Sequence, residues 1–373
     1  MKNIISFRRM RTVFVLAALT CFWTPIDAAL PPGTAVNYKT LSKSSAKLRV
    51  HIIDIGAGDA ILIETPNADE KHVFIDGGKA GMATTLKPYL KHFVGTNRID
   101  LAIVTHPDFD HINGMKSVFE TYAVHEYWDT GYDSPKLSDT WRELQMLVGD
   151  ESTCADYSPI SGYYQPGDRE VIDENETGDP TDDVILQFIN VNGSPPFKDP
   201  KTKRKFKESE RRNNASLVLK LIYKNVSFLL TGDINGRNKD HIGEVFDDEC
   251  DSVEQFLIDL NKQELTPTAG FLAATVLKAP HHGSNGSSSL EFIKQVHPDW
   301  VVFSAGHEFD HPHPDALRRY GKAGIPTSQL LRTDEGDSTP EDDGARDGMG
   351  DDTFVFETDG MTITSIKRVK INL

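Results

Sequence analysis

An apolar run at residues 101–104 leads directly into the segment THPDFDHING at 105–114. This segment holds two histidines and two carboxylates within six positions, namely His106, Asp108, Asp110 and His111. Imidazole nitrogens and carboxylate oxygens are donors that divalent transition metals prefer. Because a loop at a strand end is held by a rigid scaffold, donors there can converge on one point. We interpret the segment as a metal-binding loop between a buried strand and a helix, in preference to a solvated acidic loop with chance histidines.

Strand-like and helix-like patterns alternate along the chain, which is typical of an α/β or α+β fold. Short apolar or alternating runs predict strands at 48–55, 59–65, 72–75, 99–104, 123–129, 184–191, 213–223, 226–230, 300–304, 354–357 and 361–366, with another beginning at residue 275. Amphipathic spacing predicts helices at 81–92, 111–119, 138–148, 237–246, 253–260, 290–296 and 315–320. Residues 150–183 are polar and predict a long surface excursion, whose tyrosines we expect to pack on the domain rather than to line a pocket.

The N-terminus has the pattern of a secretory signal peptide at residues 1–28, with basic residues through Arg11, an apolar run and a small-residue end. The apolar run is short and is soon interrupted by Pro25, so no stable membrane insertion is expected. An uncleaved anchor is the alternative. The pattern therefore predicts a periplasmic or secreted protein.

Composition divides the remaining chain into a Pro-, Gly- and Ser-rich linker at 29–47 and a domain at 48–373. Within the domain, residues 333–352 form an acidic loop that is nearly free of apolar side chains. Cys154 and Cys250 remain after signal cleavage, and two cysteines do not by themselves establish a disulfide.

The formal net charge of −16 excludes a surface that binds polyanions globally, so any nucleic-acid contact must be local. One basic segment, at 198–212, stands out in this acidic chain. Near a metal centre it would hold a phosphate group, and we take Lys203, Arg204 and Lys205 as candidate substrate contacts. The alternative is an ordinary solvated loop. Nothing in these patterns predicts an oligomeric state.

Further candidate ligands follow other predicted strands. Asp233 follows the strand at 226–230, His281 and His282 follow the strand that begins at 275, and His311 and His313 follow the strand at 300–304. Asp54 and Asp76 occupy glycine-flanked turns at the ends of two early strands. A single histidine in such a loop is unremarkable, but the repeated placement at strand ends favours one shared metal site.

The ordered motifs HPDFDH at 106–111, TGD at 231–233, PHHGS at 280–284 and HPH at 311–313 resemble those of the metallo-β-lactamase superfamily. The segments DIGAGDA at 54–60, FIDGG at 74–78 and NNASLV at 213–218 are similar to the branch related to the C-terminal hydrolase domain of the ComEC/Rec2 DNA-uptake protein. The resemblance spans residues 48–366, without a membrane channel.

This resemblance implies a four-layer αββα sandwich, in which two mixed sheets pack face to face with helices outside. It also implies two divalent metal ions, zinc or manganese, at one edge of the sandwich. His106 and Asp108 would hold one ion, Asp110 and His111 the other, and Asp233 would bridge them. An Asp at 108, where many lactamases have a histidine, shifts the preference toward manganese without excluding zinc.

The remaining roles implied by the resemblance are less tightly defined. His313, or in the alternative His311, would complete the second metal site. His281 and His282 would serve as a ligand and a proton donor, without the sequence deciding which does which. Asp54 and Asp76 would orient ligand histidines, and Asn214 would stand near the first metal through water.

The sequence thus predicts an exported metal-dependent hydrolase, with a nucleic-acid or small-molecule phosphodiester as substrate. A hydroxide bridging the two ions would attack, Asp110 would orient it or accept its proton, and His282 would protonate the leaving group. One alternative is a lactam, lactone or other ester hydrolase of the same fold. Another is a metal-stabilised binding module without catalytic activity.

Overall fold

The computed structural model describes residues 33–43, 46–66, 70–79, 81, 83–95, 98–132, 138–174, 177–199, 203–237, 252–263, 270–306, 309–335 and 352–371. The predicted signal peptide lies outside the described residues, as do Cys250, nearly all of the helix predicted at 237–246 and most of the acidic loop at 333–352. Within the described part, no helix combines the length and apolar character needed to cross a bilayer.

Strands and helices alternate through the described chain, as the hydrophobic patterns predict. The strands are β1 (Val36–Asn37), β2 (Leu48–Ile52), β3 (Ile61–Glu64), β4 (His72–Ile75), β5 (Ile99–Ile103), β6 (Val124–Asp129), β7 (Cys154–Pro159), β8 (Arg169–Asp173), β9 (Val184–Asn190), β10 (Val218–Tyr223), β11 (Val226–Leu230), β12 (Val276–Lys278), β13 (Trp300–Phe303), β14 (Leu330–Arg332), β15 (Thr353–Thr358) and β16 (Ile363–Lys370). The α-helices are α1 (Ala83–Phe93), α2 (Phe109–Phe119), α3 (Asp139–Val148), α4 (Glu208–Asn214), α5 (Val253–Lys262), α6 (Leu290–Val296) and α7 (Pro314–Lys322).

The strands form two mixed sheets. The first has the order β1-β16-β15-β2-β3-β4-β5-β6-β7, and the second has the order β14-β13-β12-β11-β10-β9-β8. Alternate residues of both sheets, such as Ile63 and Val73 from the first and Leu219 and Phe228 from the second, share one buried cluster between the sheets. The predicted pair of face-to-face mixed sheets is therefore confirmed.

Helices cover the outer face of each sheet. Leu86 of α1, Met115 of α2 and Leu144 of α3 pack with the outward residues of the first sheet. Leu257 of α5 and Phe292 of α6 belong to the corresponding cluster on the second sheet. These helices bury their apolar stripes against a sheet, which completes the predicted αββα layering.

The parallel parts of the sheets place several loops at one edge. Strands β4 and β5 are parallel neighbours in the first sheet, and β11, β12 and β13 are parallel neighbours in the second. Carboxyl ends of parallel neighbours lie on the same side of a sheet. Because the candidate ligands follow these strands, the topology gathers residues that are distant in sequence.

The structure differs from the predicted boundaries at several places, including a strand at Leu330–Arg332 that was not predicted. The excursion at 150–183 contains strands β7 and β8, whose largely polar composition suits edge strands that expose side chains to solvent. The strand predicted from residue 213 begins only at Val218, because Asn213 and Asn214 end helix α4. In the predicted linker, Val36–Asn37 pairs with β16, so this part of it joins the sheet. Of the tyrosines in this excursion, Tyr164 packs on the domain as expected, with its ring centroid 4.2 Å from that of Phe188. Tyr157 and Tyr163 are exposed, contrary to that expectation.

Candidate metal centre

Asp76 fixes the orientation of His111. It follows β4 in the left-handed region, with φ of 56°, and its Oδ2 lies 2.8 Å from His111 Nδ1. The same carboxylate accepts hydrogen bonds from the backbone N–H and the hydroxyl of Thr105. Asp76 therefore stands where the sequence placed a residue that orients a ligand histidine, and Nε2 of His111 is left to face the site.

Three other histidines share this arrangement of their two ring nitrogens. His106 Nδ1 lies 3.1 Å from the Thr105 hydroxyl, and His281 Nδ1 lies 2.9 Å from Asn235 Oδ1. His282 Nδ1 lies 2.7 Å from the carbonyl oxygen of Ser304. A protonated Nδ1 donating to an oxygen leaves Nε2 as an acceptor, which is the form that binds a metal.

The four Nε2 atoms converge on the carboxylate of Asp233. Its Oδ2 lies 3.9 Å from His106 Nε2, 3.4 Å from His111 Nε2 and 3.7 Å from His281 Nε2. Its Oδ1 lies 3.2 Å from His282 Nε2. Although burial by itself raises the pKa of Asp233, the surrounding histidines, His282 foremost, hold that pKa well below its usual value.

Several of these buried atoms have no hydrogen-bond partner among the described residues. They are Nε2 of His106, His111 and His282, together with Asp233 Oδ1. Buried polar atoms are normally satisfied, so a group of them facing one point indicates a missing ligand. Donor atoms of His106, His111 and Asp233 lie within 4.8 Å of one another, and so do those of Asp110, His111 and His282. The donor set fits a divalent transition-metal ion.

The histidine pair after β12 is held in an unusual backbone conformation. His281 and His282 both have positive φ, at 46° and 55°, which non-glycine residues rarely adopt. The N–H of His281 donates to the carbonyl of Gly232, which lies next to Asp233. Such local strain persists where the surrounding structure fixes it, and here it directs consecutive side chains toward one carboxylate.

The sequence did not single out Asp59 or Lys278, which line the same centre. Lys278 Nζ lies 2.7 Å from Asp59 Oδ2, and Asp59 Oδ1 lies 3.5 Å from His282 Nδ1. Burial by itself raises the pKa of Asp59, but Lys278 and His282 together lower it. Two signals in the sequence could have pointed to these residues. Lys278 is a lysine inside an otherwise apolar strand, and Asp59 is an aspartate that closes a glycine-rich turn.

The structure places His311 and His313 differently with respect to the histidine cluster. The His311 ring lies 5.7 Å from that of His281 and 6.1 Å from that of His282. His313 instead caps helix α7, because its Nδ1 accepts from the N–H of Asp315, and its side chain is 38% exposed. Proline at 314 favours a helix start there, which engages the preceding histidine. Which of the two histidines binds a metal ion stays a prediction.

Asp108 is engaged by a basic residue. Its carboxylate accepts from Arg212 of helix α4, and burial raises its pKa to about 6 despite that partner. Asp108 belongs to none of the donor groups gathered around Asp233 in the described chain, so its role as a ligand stays a prediction. Asp110 does belong to one, together with His111 and His282.

Two predicted supporting residues lie elsewhere. The carboxylate of Asp54 accepts from the N–H groups of Gly56 and Asp352, so it holds these loops. Asn214 accepts from the hydroxyl of Ser252. Its neighbour Asn213 is the residue at the site. One terminal atom of its side-chain amide lies 3.4 Å from His281 Nε2, and the other lies 3.1 Å from Asp108 Oδ2. The helical end of α4 turns the two side chains apart.

The predicted basic contacts are also placed differently. Arg204 pairs with Glu210 at 2.8 Å, while Lys203 and Lys205 are exposed on the same loop. Arg212, at the end of the basic segment, is the residue from it that contacts Asp108 beside the centre. Contact of these residues with a substrate stays a prediction.

Two mixed sheets with outer helices, and a buried His/Asp cluster at the ends of parallel strands, define a metal-binding α/β sandwich. Residues 53–195 match the family model of the metallo-beta-lactamase superfamily.

Two curated proteins show distant homology to this chain. It is 26% identical over 308 residues to ComE operon protein 3 of Bacillus subtilis (strain 168), which covers 78% of this chain and 32% of that protein. It is 24% identical over 306 residues to the competence protein ComA of Neisseria gonorrhoeae, covering 80% and 33% respectively. The chain therefore spans about a third of the length of these relatives.

Among solved structures, the metallo-beta-lactamase fold protein YhfI from Bacillus subtilis aligns with a TM-score of 0.42 and 12% identity. The alignment covers 77% of this chain and 95% of that protein.

Proposed function

We propose that this chain is an exported, metal-dependent hydrolase that cleaves phosphodiester bonds. The observation that carries the proposal is the convergence of four imidazole Nε2 atoms on the Asp233 carboxylate, each with its Nδ1 beside an oxygen. The match of residues 53–195 to the metallo-beta-lactamase superfamily model supports it.

The proposed metal ligands are His106, His111, His281 and His282 with Asp233, and with Asp108 and Asp110 as further carboxylates beside them. We propose two divalent ions, zinc or manganese, which when bound lower the pKa of water and polarise the scissile group. Asp110 is buried and shares a donor group with His111 and His282. We propose that its carboxylate accepts a proton from the attacking water. The proposed proton donation by His282 competes with its role as a ligand, because Ser304 already holds its Nδ1.

Arg212 supports a phosphate-containing substrate. Its guanidinium lies at the edge of the cluster, paired with Asp108. A planar guanidinium binds phosphate oxygens with two parallel hydrogen bonds, which a neutral lactam would not use. We propose that Arg212 transfers from Asp108 to the substrate phosphate when Asp108 binds a metal ion. The substrate is a small-molecule or nucleic-acid phosphodiester.

A second candidate, hydrolysis of a neutral ester or lactam, is favoured by a nearby cavity of about 450 Å³. Phe206, Val253 and Phe256 give it apolar walls, and Asn214 links it in sequence to Asn213 at the centre. An apolar cavity suits the non-reacting part of an uncharged substrate.

A substrate panel distinguishes these functions. The mature chain, loaded with manganese or zinc, is assayed on bis-p-nitrophenyl phosphate, single-stranded DNA and nitrocefin beside an Asp233→Ala variant. Turnover of either phosphodiester that is lost in the variant supports the proposal, and turnover of nitrocefin alone contradicts it. Metal binding with no turnover of any substrate identifies a non-catalytic binding module. Sequencing the N-terminus of the exported protein tests cleavage after Ala28 and the periplasmic or secreted location.

A further inference from the structure

A second group of buried donors lies at the other end of strands β3 and β4. Glu64 ends β3 and pairs in register with His72, which begins β4. Asp59 precedes β3 and Asp76 follows β4, so the length of both strands separates this group from the candidate metal centre. At about 3.3 Å per residue, that separation is on the order of 10 Å.

Two atoms of this group are buried without a hydrogen-bond partner in the described part of the chain, Glu64 Oε1 and His72 Nε2. Their side chains are 0% and 2% exposed. The carboxylate of Glu70 approaches the same place, with Oε2 3.8 Å from His72 Nε2. This distance is too long for a hydrogen bond. One donor atom from each of the three residues lies within 4.8 Å of the others.

The opposite sides of both buried groups are already held. Glu64 Oε2 lies 3.0 Å from an Arg49 guanidinium nitrogen and 2.6 Å from His51 Nε2. His72 hydrogen-bonds to the backbone of Phe93, and burial lowers its pKa, which favours the neutral imidazole. Ligands of metal ions are typically fixed in this way, with the atom not bound to metal tied to a neighbouring group.

We propose that Glu64, Glu70 and His72 form a second, structural metal site that binds zinc. Carboxylate oxygens and imidazole nitrogens both bind zinc, and a water molecule would complete four-coordination. The ion would join the adjacent ends of β3 and β4 and satisfy the two orphaned atoms. It would take no part in the hydrolysis proposed at Asp233, and the site does not depend on that function.

Zinc counting in four proteins tests the site. The mature chain, Glu70→Gln, Asp233→Asn and the double variant are depleted of metal, titrated with zinc and analysed for tightly bound equivalents. We expect Glu70→Gln to remove one equivalent of zinc, or to weaken its binding about tenfold or more. The effect should be the same in the unaltered chain and in Asp233→Asn. Glu120→Gln, a substitution at an exposed helix end, is the matched control and should bind as the unaltered chain does.

The outcomes separate this site from the proposed active centre. Loss of zinc in Glu70→Gln and not in Asp233→Asn supports the second site while contradicting the proposed centre. Loss in Asp233→Asn alone overturns the second site. An equal effect of Glu120→Gln shows an adventitious ion only and also overturns it. Glu70 is 15% exposed and suits substitution without unfolding; His72→Gln provides a second variant with the same expected loss.

Discussion

Lys278 Nζ lies 2.7 Å from Asp59 Oδ2, forming a fully buried ion pair between the last residue of β12 and the loop before β3. The ammonium also donates to the carbonyl oxygen of Gly232 at 3.0 Å and lies 3.7 Å from Asp233 Oδ1. One side chain thus links the two sheets directly beneath the candidate metal centre. It also supplies positive charge next to the carboxylate on which the histidines converge.

Replacing Lys278 with methionine should destabilise the fold by about 3–5 kcal/mol, because it leaves the Asp59 carboxylate buried without its cation. Guanidinium unfolding of the metal-free chain measures the change. The Asp59→Asn/Lys278→Met double variant removes both charges and should recover much of the loss. A single variant as stable as the unaltered chain would show that the pair does not hold the sheets together.

Gly114 allows helix α2 to contact the turn that carries Asp76. A Cβ at this position would lie 1.7 Å from the carbonyl oxygen of Gly77. The N–H of Gly114 also donates to the carbonyl of Gly78 at 3.1 Å. Gly114→Ala should therefore displace α2, cost about 2–3 kcal/mol and weaken metal binding. The control is Gly321→Ala in helix α7, where an added Cβ would meet open space. It should change the free energy of unfolding by less than about 1 kcal/mol.

Arg212→Ala should lower kcat/KM for a phosphodiester about 10- to 100-fold, the size expected for losing charge-assisted hydrogen bonds. Arg212→Lys should keep only part of this, because an ammonium lacks the planar fork. The kcat/KM of the same variants on a neutral ester is measured for comparison. If Arg212→Ala lowers both activities equally, the residue does not recognise phosphate.

Lys220 should make stability depend on pH. Burial, with a smaller contribution from Arg169, lowers its pKa to about 8, and Nζ donates to the carbonyl oxygen of Gly270. Between pH 8 and the ordinary value of 10.5 the unfolded chain binds more protons at this site than the folded chain. The free energy of unfolding should therefore rise with pH across this window, by up to about 3 kcal/mol.

The Lys220→Met variant isolates that contribution, since other groups also titrate in this range. The free energy of unfolding is measured with urea at several pH values for both proteins. The unaltered chain minus the variant should give a difference that increases with pH. A difference that stays constant, or falls, from pH 8 to 10.5 would contradict the lowered pKa.

Periodicity predicted the helices and buried strands well, because their apolar residues face sheets or helices. Helix 290–296 and strand 72–75 have the predicted bounds. Edge strand β7 was not predicted, because its exposed side chains give no apolar alternation. The end of α4 was not predicted, because apolar strand residues follow it closely. The helix places Asn213 rather than Asn214 beside His281.

At the candidate site, sequence indicated residues concentrated in motifs, including His106, His111 and Asp233. It could not find Asp59 as a partner of Lys278, because 219 positions separate them and only the packing of two sheets brings them together. The different placement of His311 and His313 likewise depends on how the chain enters helix α7.

Manganese binding, counted by the electron paramagnetic resonance signal of free Mn²⁺, tests the central claim most directly. The mature chain is compared with Asp233→Asn and with the control Asp139→Asn, whose side chain is 91% exposed. The four histidines converging on Asp233 predict that Asp233→Asn loses the tightly bound ions while Asp139→Asn retains them. Equal manganese binding by all three proteins would contradict a metal centre at Asp233.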